Sequence, residues 1–188
     1  MAKENKPLKS ILFVSRNKDN KHIPNFKERR YVRLTTKTAE ELKKDFDHWA
    51  AKGPEGEFCR FYMKINARDP EKTKKNLIKE LIFNDNFDLV SAEAKIAGIA
   101  NKKECAAERK WLFDFDDTED KLDEFIHDIK ECDKASTPLE IEVHKTPNGH
   151  AVIVSRGFDT RELMKKWSTT VELKKDEMLC VNWTGKEN

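Results

Sequence analysis

The amino-acid sequence predicts an α+β fold in which an N-terminal α/β extension, residues 1–104, leads into a C-terminal β-α-β-β-α-β unit, residues 105–188, the two able to form one domain. From Trp111 onward, short apolar runs with a period of two alternate with segments whose apolar residues recur at helical spacing. Between two of these runs stands only 147-PNG-149, a tight turn that makes them a hairpin rather than strands joined by a helix. A chain of 188 residues is long enough to bury one sizeable core.

The opening MAKENKPLK is polar and expected to fray. The runs 11-ILFV-14 and 31-YVRL-34 then read as short strands on either side of a basic loop, 16-RNKDNKHIPNFKERR-30. Residues 38–51 read as a helix, because Thr38 can cap it with Glu41 three positions later and Leu42, Phe46 and Trp49 recur at helical spacing. Gly53, Pro54 and Gly56 end it. In 58-FCRFYMKIN-66, alternation puts Cys59, Phe61, Met63 and Ile65 on an apolar side and Arg60, Tyr62 and Lys64 on a half-basic one. Asp69 as cap and Pro70 at the first position open another helix, through residue 85, with Leu77, Ile78, Leu81 and Ile82 as its expected buried stripe. A further helix is expected over residues 89–100.

The C-terminal half reads as strand 111–116, helix 119–132, strand 139–145, the PNG turn, strand 150–155, helix 159–167, and closing strands at 170–175 and 178–183. This order packs two helices on one face of an antiparallel sheet and leaves the other face open, as in ferredoxin-like, RRM-like and palm domains. In 111-WLFDFD-116 the period of two sends Trp111, Phe113 and Phe115 to the helices and Leu112, Asp114 and Asp116 to the open face. The same logic buries Leu139, Ile141, Val143, Val171 and Leu173. It turns out Glu140, Glu142, His144, Glu172 and Lys174.

A carboxylate is costly to desolvate unless it is paired or binds a cation. Two of them two apart on a strand therefore point to a metal site, a phosphatase nucleophile, or a strand with one wet face. For a metal, the match is a hard cation, Mg²⁺ or Mn²⁺, held by Asp114, Asp116 and Glu172, as in sites that align oxygens for phosphoryl transfer.

Composition narrows the classes. Mean hydropathy is -0.83, yet the 11 Phe and 4 Trp recur among the apolar runs, so the chain is expected to be globular rather than disordered. The net charge of +2 neither demands nor excludes a nucleic-acid partner, since local patches decide. The four cysteines are far apart with no CxxC pair, which argues against a zinc knuckle. With no basic leader followed by an apolar stretch and no membrane-length apolar run, a cytoplasmic location and no membrane partner are the expectation.

The pattern in 112-LFDFD-116, the turn and strand 146-TPNGHAVIVS-155, and the step 171-VE-172 together resemble the three motifs of the archaeo-eukaryotic primase superfamily. The likeness covers roughly the last 75 residues, and the layout is also similar to that of small tailed-phage proteins. It implies metal-dependent nucleotidyl transfer, in intact or degenerate form, with Asp114, Asp116 and Glu172 holding divalent metals and acting on nucleotides and single-stranded DNA or RNA. It also implies nucleotide contacts from His150, with His144 as a substitute and Lys174 neutralising phosphates. His150 departs from the family pattern, because it follows Gly149 directly where a spacer is usual. A protein partner is a further expectation for so short a chain.

Two other readings compete. The string 112-LFDFDDT-118 resembles the haloacid-dehalogenase signature, with Asp114 as nucleophile, Ser155 as second motif and Lys165 or Lys166 as third, although the PNG hairpin conflicts with that fold's parallel strands. A non-catalytic binding module is the third reading, in which Arg29, Arg30, Arg33, Arg60, Tyr62 and Lys64 line a track for a nucleic-acid backbone, away from the acids.

Overall fold

The computed structural model describes residues 6–185. It is α+β, with two four-stranded antiparallel sheets. The first sheet is built from β1 (Lys9–Ser15), β2 (Arg29–Thr35), β3 (Cys59–Lys64) and β8 (Met178–Thr184), in the order β2-β1-β3-β8. Register sets Ile11 beside Met63 and Phe13 beside Phe61. Helix α1 (Ala39–Ala50) closes that face with Leu42 and Phe46. Phe13 meets Phe61 edge-on at 4.8 Å and Phe46 at 5.3 Å between ring centroids, an edge-to-face geometry that aromatic quadrupoles favour. The expected capping box is present. Thr38 accepts from the Glu41 N–H, and the Glu41 carboxylate accepts from the Thr38 N–H.

The second sheet comprises β4 (Trp111–Phe115), β5 (Ile141–Lys145), β6 (His150–Val154) and β7 (Val171–Lys175), in the order β5-β6-β4-β7. Helices α4 (Leu122–Cys132) and α5 (Arg161–Trp167) cover one face, and Phe113, Phe115, Phe125, Ile129, Val152, Leu163 and Trp167 form its core. The Trp167 indole N–H finds a partner in Asp128 at 2.7 Å, so this buried ring leaves no donor unmet. The PNG turn comes close to the end of β4. A Cβ at Gly149 would lie 2.4 Å from the Phe115 carbonyl oxygen, which explains glycine there.

The structure departs from the sequence reading in three places. First, the outer face of the second sheet is not open. Leu112, Ala151 and Ile153 pack against Ile65 and Leu179, so the two sheets stack and the layers run helix, sheet, sheet, helix. Second, residues 178–183 do not complete the C-terminal sheet. After a turn at Asp176, where φ is +56°, β8 crosses to pair with β3, with a bulge that brings Val181 against both neighbouring cores.

Third, helix α2 (Pro70–Phe83) has its Asp69 cap but not its buried stripe. Leu77 is half-buried, but Ile78, Leu81 and Ile82 are 46%, 49% and 64% exposed. The helix leans on α3 (Ala92–Ala100) and on the turn at Lys103–Cys105 rather than on a sheet, so its apolar side meets no core. Val143 is exposed for a related reason, because β5 is an edge strand. No helix among the described residues is long and apolar enough to cross a membrane.

Candidate functional site

Between the sheets, at the C-terminal end of β4, lies a cleft of about 310 Å³. One wall carries Asp114, Asp116, Glu172 and Lys174 from β4 and β7. The facing wall carries Arg16 and Lys18, from the loop after β1, and Arg60 and Tyr62 from β3. Beyond Arg60 and Asn148 the cleft adjoins a hollow of about 400 Å³ reached by Lys18, Asp19, His22 and Phe58.

The acid wall follows from register. Asp114 and Glu172 are direct cross-strand partners, an arrangement that like charges disfavour. Lys174, two residues along β7 on the same face, resolves it: its Nζ lies 2.5 Å from Asp114 Oδ2 and 3.2 Å from Glu172 Oε2. Burial works to lower the Lys174 pKa, but hydrogen bonds to Asp114 and Glu172 outweigh it and the net shift is upward. Asp116, one residue past β4, has no such partner among the described residues. Burial and then the neighbouring Asp114 charge push its carboxyl above the usual range, and Lys174 only partly offsets them.

On the basic wall, Arg60 is buried at 9% exposure. Its Nη2 donates to Asp19 at 3.2 Å, Nη1 reaches the Tyr62 hydroxyl at 3.4 Å, and the guanidinium lies 5.1 Å from the centre of the Phe58 ring. Its Nε is buried with no hydrogen-bond partner among the described residues. An unmet buried donor costs about 1–3 kcal/mol. Asp19 is held in turn by Arg16 Nε at 2.7 Å, which fixes the loop as part of the wall.

The structure therefore brings Asp114, Asp116, Glu172, Lys174, Arg60 and Tyr62 together and separates the other expected residues. His150 faces the helical side, with its Nε2 4.0 Å from Glu119, as alternation along β6 requires. His144 stays on the inter-sheet side but lines a separate small hollow beside Lys64 and bonds Glu142 at 3.3 Å. Lys64 donates to the Asp176 carbonyl between the sheets.

Arg29 pairs with Glu57 and lies over the Trp49 ring, and Arg33 pairs with Asp45 of α1, so both belong to the α1 side of the first sheet. Arg30 pairs with Glu28 at the surface. The six basic and aromatic residues thus form no single track, and Arg60 and Tyr62 face the acids instead of lying away from them. Sequence reasoning missed Arg16 and Lys18 as wall residues. Their signal was only a basic loop directly after a strand.

The carboxylates have the hard-oxygen chemistry a divalent cation wants, but their placement does not match it. Lys174 holds the position between Asp114 and Glu172, and among the described residues no group of three or more metal-binding side chains converges. Fold and site together define an α+β protein of two stacked antiparallel sheets with an acid-and-base cleft between them. No family model, no curated protein and no solved structure matches the chain.

Proposed function

We propose that the chain is a nucleotide- and single-strand-binding protein of primase-polymerase type, with its transfer chemistry reduced or lost. The observation that carries this reading is the pairing of walls: Asp114, Asp116 and Glu172 face Arg16, Lys18 and Arg60 across one cleft, with Tyr62 beside them. Phosphates would be drawn to the guanidinium and ammonium groups of Arg16, Lys18 and Arg60. A base would find the half-buried Tyr62 ring as a flat apolar surface. Lys174 supplies internally the positive charge that a metal would otherwise bring to Asp114 and Glu172. The antiparallel pairing of β4 with both β6 and β7 counts against the phosphatase reading, whose fold needs parallel neighbours.

The test is binding of a fluorescent nucleoside triphosphate, followed by anisotropy, to the parent and to Lys18→Glu with Arg60→Gln. The parent is expected to bind and the double variant to lose at least about tenfold in affinity, as when one or two charge-assisted contacts go. Equal binding by both would remove the cleft from the account. In parallel, NTPs, Mn²⁺ and a single-stranded template are expected to give no strand extension. Extension that Asp114→Asn abolishes would show catalysis to be intact.

A further inference from the structure

A second, larger hollow of about 770 Å³ lies at the other end of β4. It runs between α2, the segment 103–111 and the turn joining β7 to β8. Seven Lys or Arg side chains and three Asp or Glu line it, more local positive charge than the +2 of the whole chain. The cations are also differently kept. Elsewhere Arg16, Arg29, Arg30, Arg33, Arg60, Arg68, Arg156 and Arg161 each meet a carboxylate. In the groove, Lys75, Lys79, Lys103 and Arg109 have no carboxylate within ion-pair reach among the described residues, and Lys175 sits over the Trp111 ring at 4.2 Å.

Helix stability explains Lys75 only in part, through Glu71 four residues before it, and does not explain Lys79. Lys75 and Lys79 stand four apart, where like charges repel, and no basic residue occupies the last turn of α2, where the helix dipole would favour one. The floor is rigid and polar. Asn66 exchanges hydrogen bonds with the backbone of Lys110 at 2.7 and 3.0 Å and donates to Asp176 at 3.1 Å. Asp176 in turn holds the fully buried Arg68. A concave, water-accessible channel with unpaired cations along both rims suits a flexible chain of regularly spaced negative charges better than a flat membrane surface.

We propose that this groove is a second nucleic-acid contact, taking the phosphate backbone of a single strand through Lys75, Lys79, Lys103 and Arg109. It stands on its own observations and does not rest on the cleft being a nucleotide site. If both hold, one strand can span them, since the five residues of β4 separate the two by roughly 15 Å, the reach of a few nucleotides.

The test uses the full chain and a labelled oligothymidylate of about twenty nucleotides, longer than a typical single-strand site. Lys75→Glu, Lys79→Glu and Arg109→Glu together are expected to weaken binding at least about tenfold at low salt and to flatten the log–log salt slope by about 2, the release expected when three phosphate contacts are lost. Binding of the fluorescent triphosphate should be unchanged, because none of the three residues reaches the cleft. Oligothymidylate binding that the triple variant leaves intact and Lys18→Glu with Arg60→Gln abolishes would overturn the groove while keeping the cleft; the reverse would do the opposite.

Lysine acetylation footprinting of the parent is independent of any variant's folding. The oligonucleotide should protect Lys75, Lys79 and Lys103, and absence of protection overturns the proposal. Polyglutamate, or vesicles of phosphatidylcholine with phosphatidylserine, binding as tightly as the oligonucleotide would also overturn it in favour of an acidic-protein or membrane contact.

Discussion

In the cleft between the sheets, Lys174 lies against Asp114 and Glu172, and Arg16 and Arg60 share Asp19; in the groove beside α2, four cations have no carboxylate within ion-pair reach among the described residues. The paired cations fix where carboxylates and guanidinium groups stand, so the cleft is shaped by short-range geometry and holds little net field. The unpaired cations of the groove leave their field to the solvent, where it attracts any nearby polyanion and is screened by salt. Under the two proposals, these basic regions would serve different ends, one selecting a ligand by fit and the other gathering it by charge. Charge counts along the sequence do not separate them; the presence or absence of a partner in space does.

The largest expected effect tests the wall that keeps the regions apart. Asp176 lines the groove and answers Arg68, whose side chain is wholly buried, with Arg68 Nη2 at 2.5 Å and Nη1 at 3.1 Å. Asp176→Ala should cost about 3–5 kcal/mol in urea unfolding, the usual penalty for leaving a buried charge without its partner. A loss below about 1 kcal/mol would mean that Arg68 finds other compensation.

A smaller effect sharpens the cleft side of the comparison. Lys174→Met should destabilise the fold by about 1 kcal/mol, since the pair is partly exposed and screened. Folding raises the Lys174 pKa, so its contribution is complete below the ordinary lysine value and fades as pH rises through the folded value. Parent and variant should therefore converge only in strongly alkaline solution. The variant should also gain a Mn²⁺-dependent rise in melting temperature that the parent lacks, because Asp114 and Glu172 are then left without their internal cation. A parent that responds to Mn²⁺ as strongly as the variant would show that Lys174 does not stand in for a metal.

The smallest effect concerns Asp116. Its carboxyl is held above the ordinary range by burial and by Asp114, so folding disfavours its ionised form. That penalty is absent below the ordinary aspartate pKa, grows as pH rises, and is complete above the folded value. Asp116→Asn should raise stability at neutral pH by no more than about 0.5 kcal/mol, and the gain should vanish in acid. Thermal melts across pH would detect a gain that persists in acid, which would assign the effect to packing instead.

Local pattern was a reliable guide wherever a residue's neighbours in sequence are also its neighbours in space. The Thr38 and Glu41 capping box, the Asp69 cap, the two faces of residues 111–116 and the PNG hairpin all depend on contacts within a few positions, and each is present in the structure. Half of the candidate site was legible on the same grounds. Alternation alone puts Asp114, Glu172 and Lys174 on one face of the second sheet and turns His150 off it. The basic wall was not legible as a wall, because Arg16 and Lys18 sit in a loop whose position depends on Arg60, 41 residues from Asp19 in the chain.

By itself, then, the sequence determined the α+β class, the order of elements and which side chains share a strand face, since those follow from periods of two and 3.6 and from capping and turn chemistry. Only the tertiary structure decided that β8 leaves the C-terminal sheet to pair with β3, that the outer face of that sheet is covered by the other, and that α2 keeps its apolar stripe in solvent. The reason is physical. A period says which residues point the same way, but what they meet depends on long-range packing, and an apolar stripe is buried only where a second apolar surface arrives to cover it.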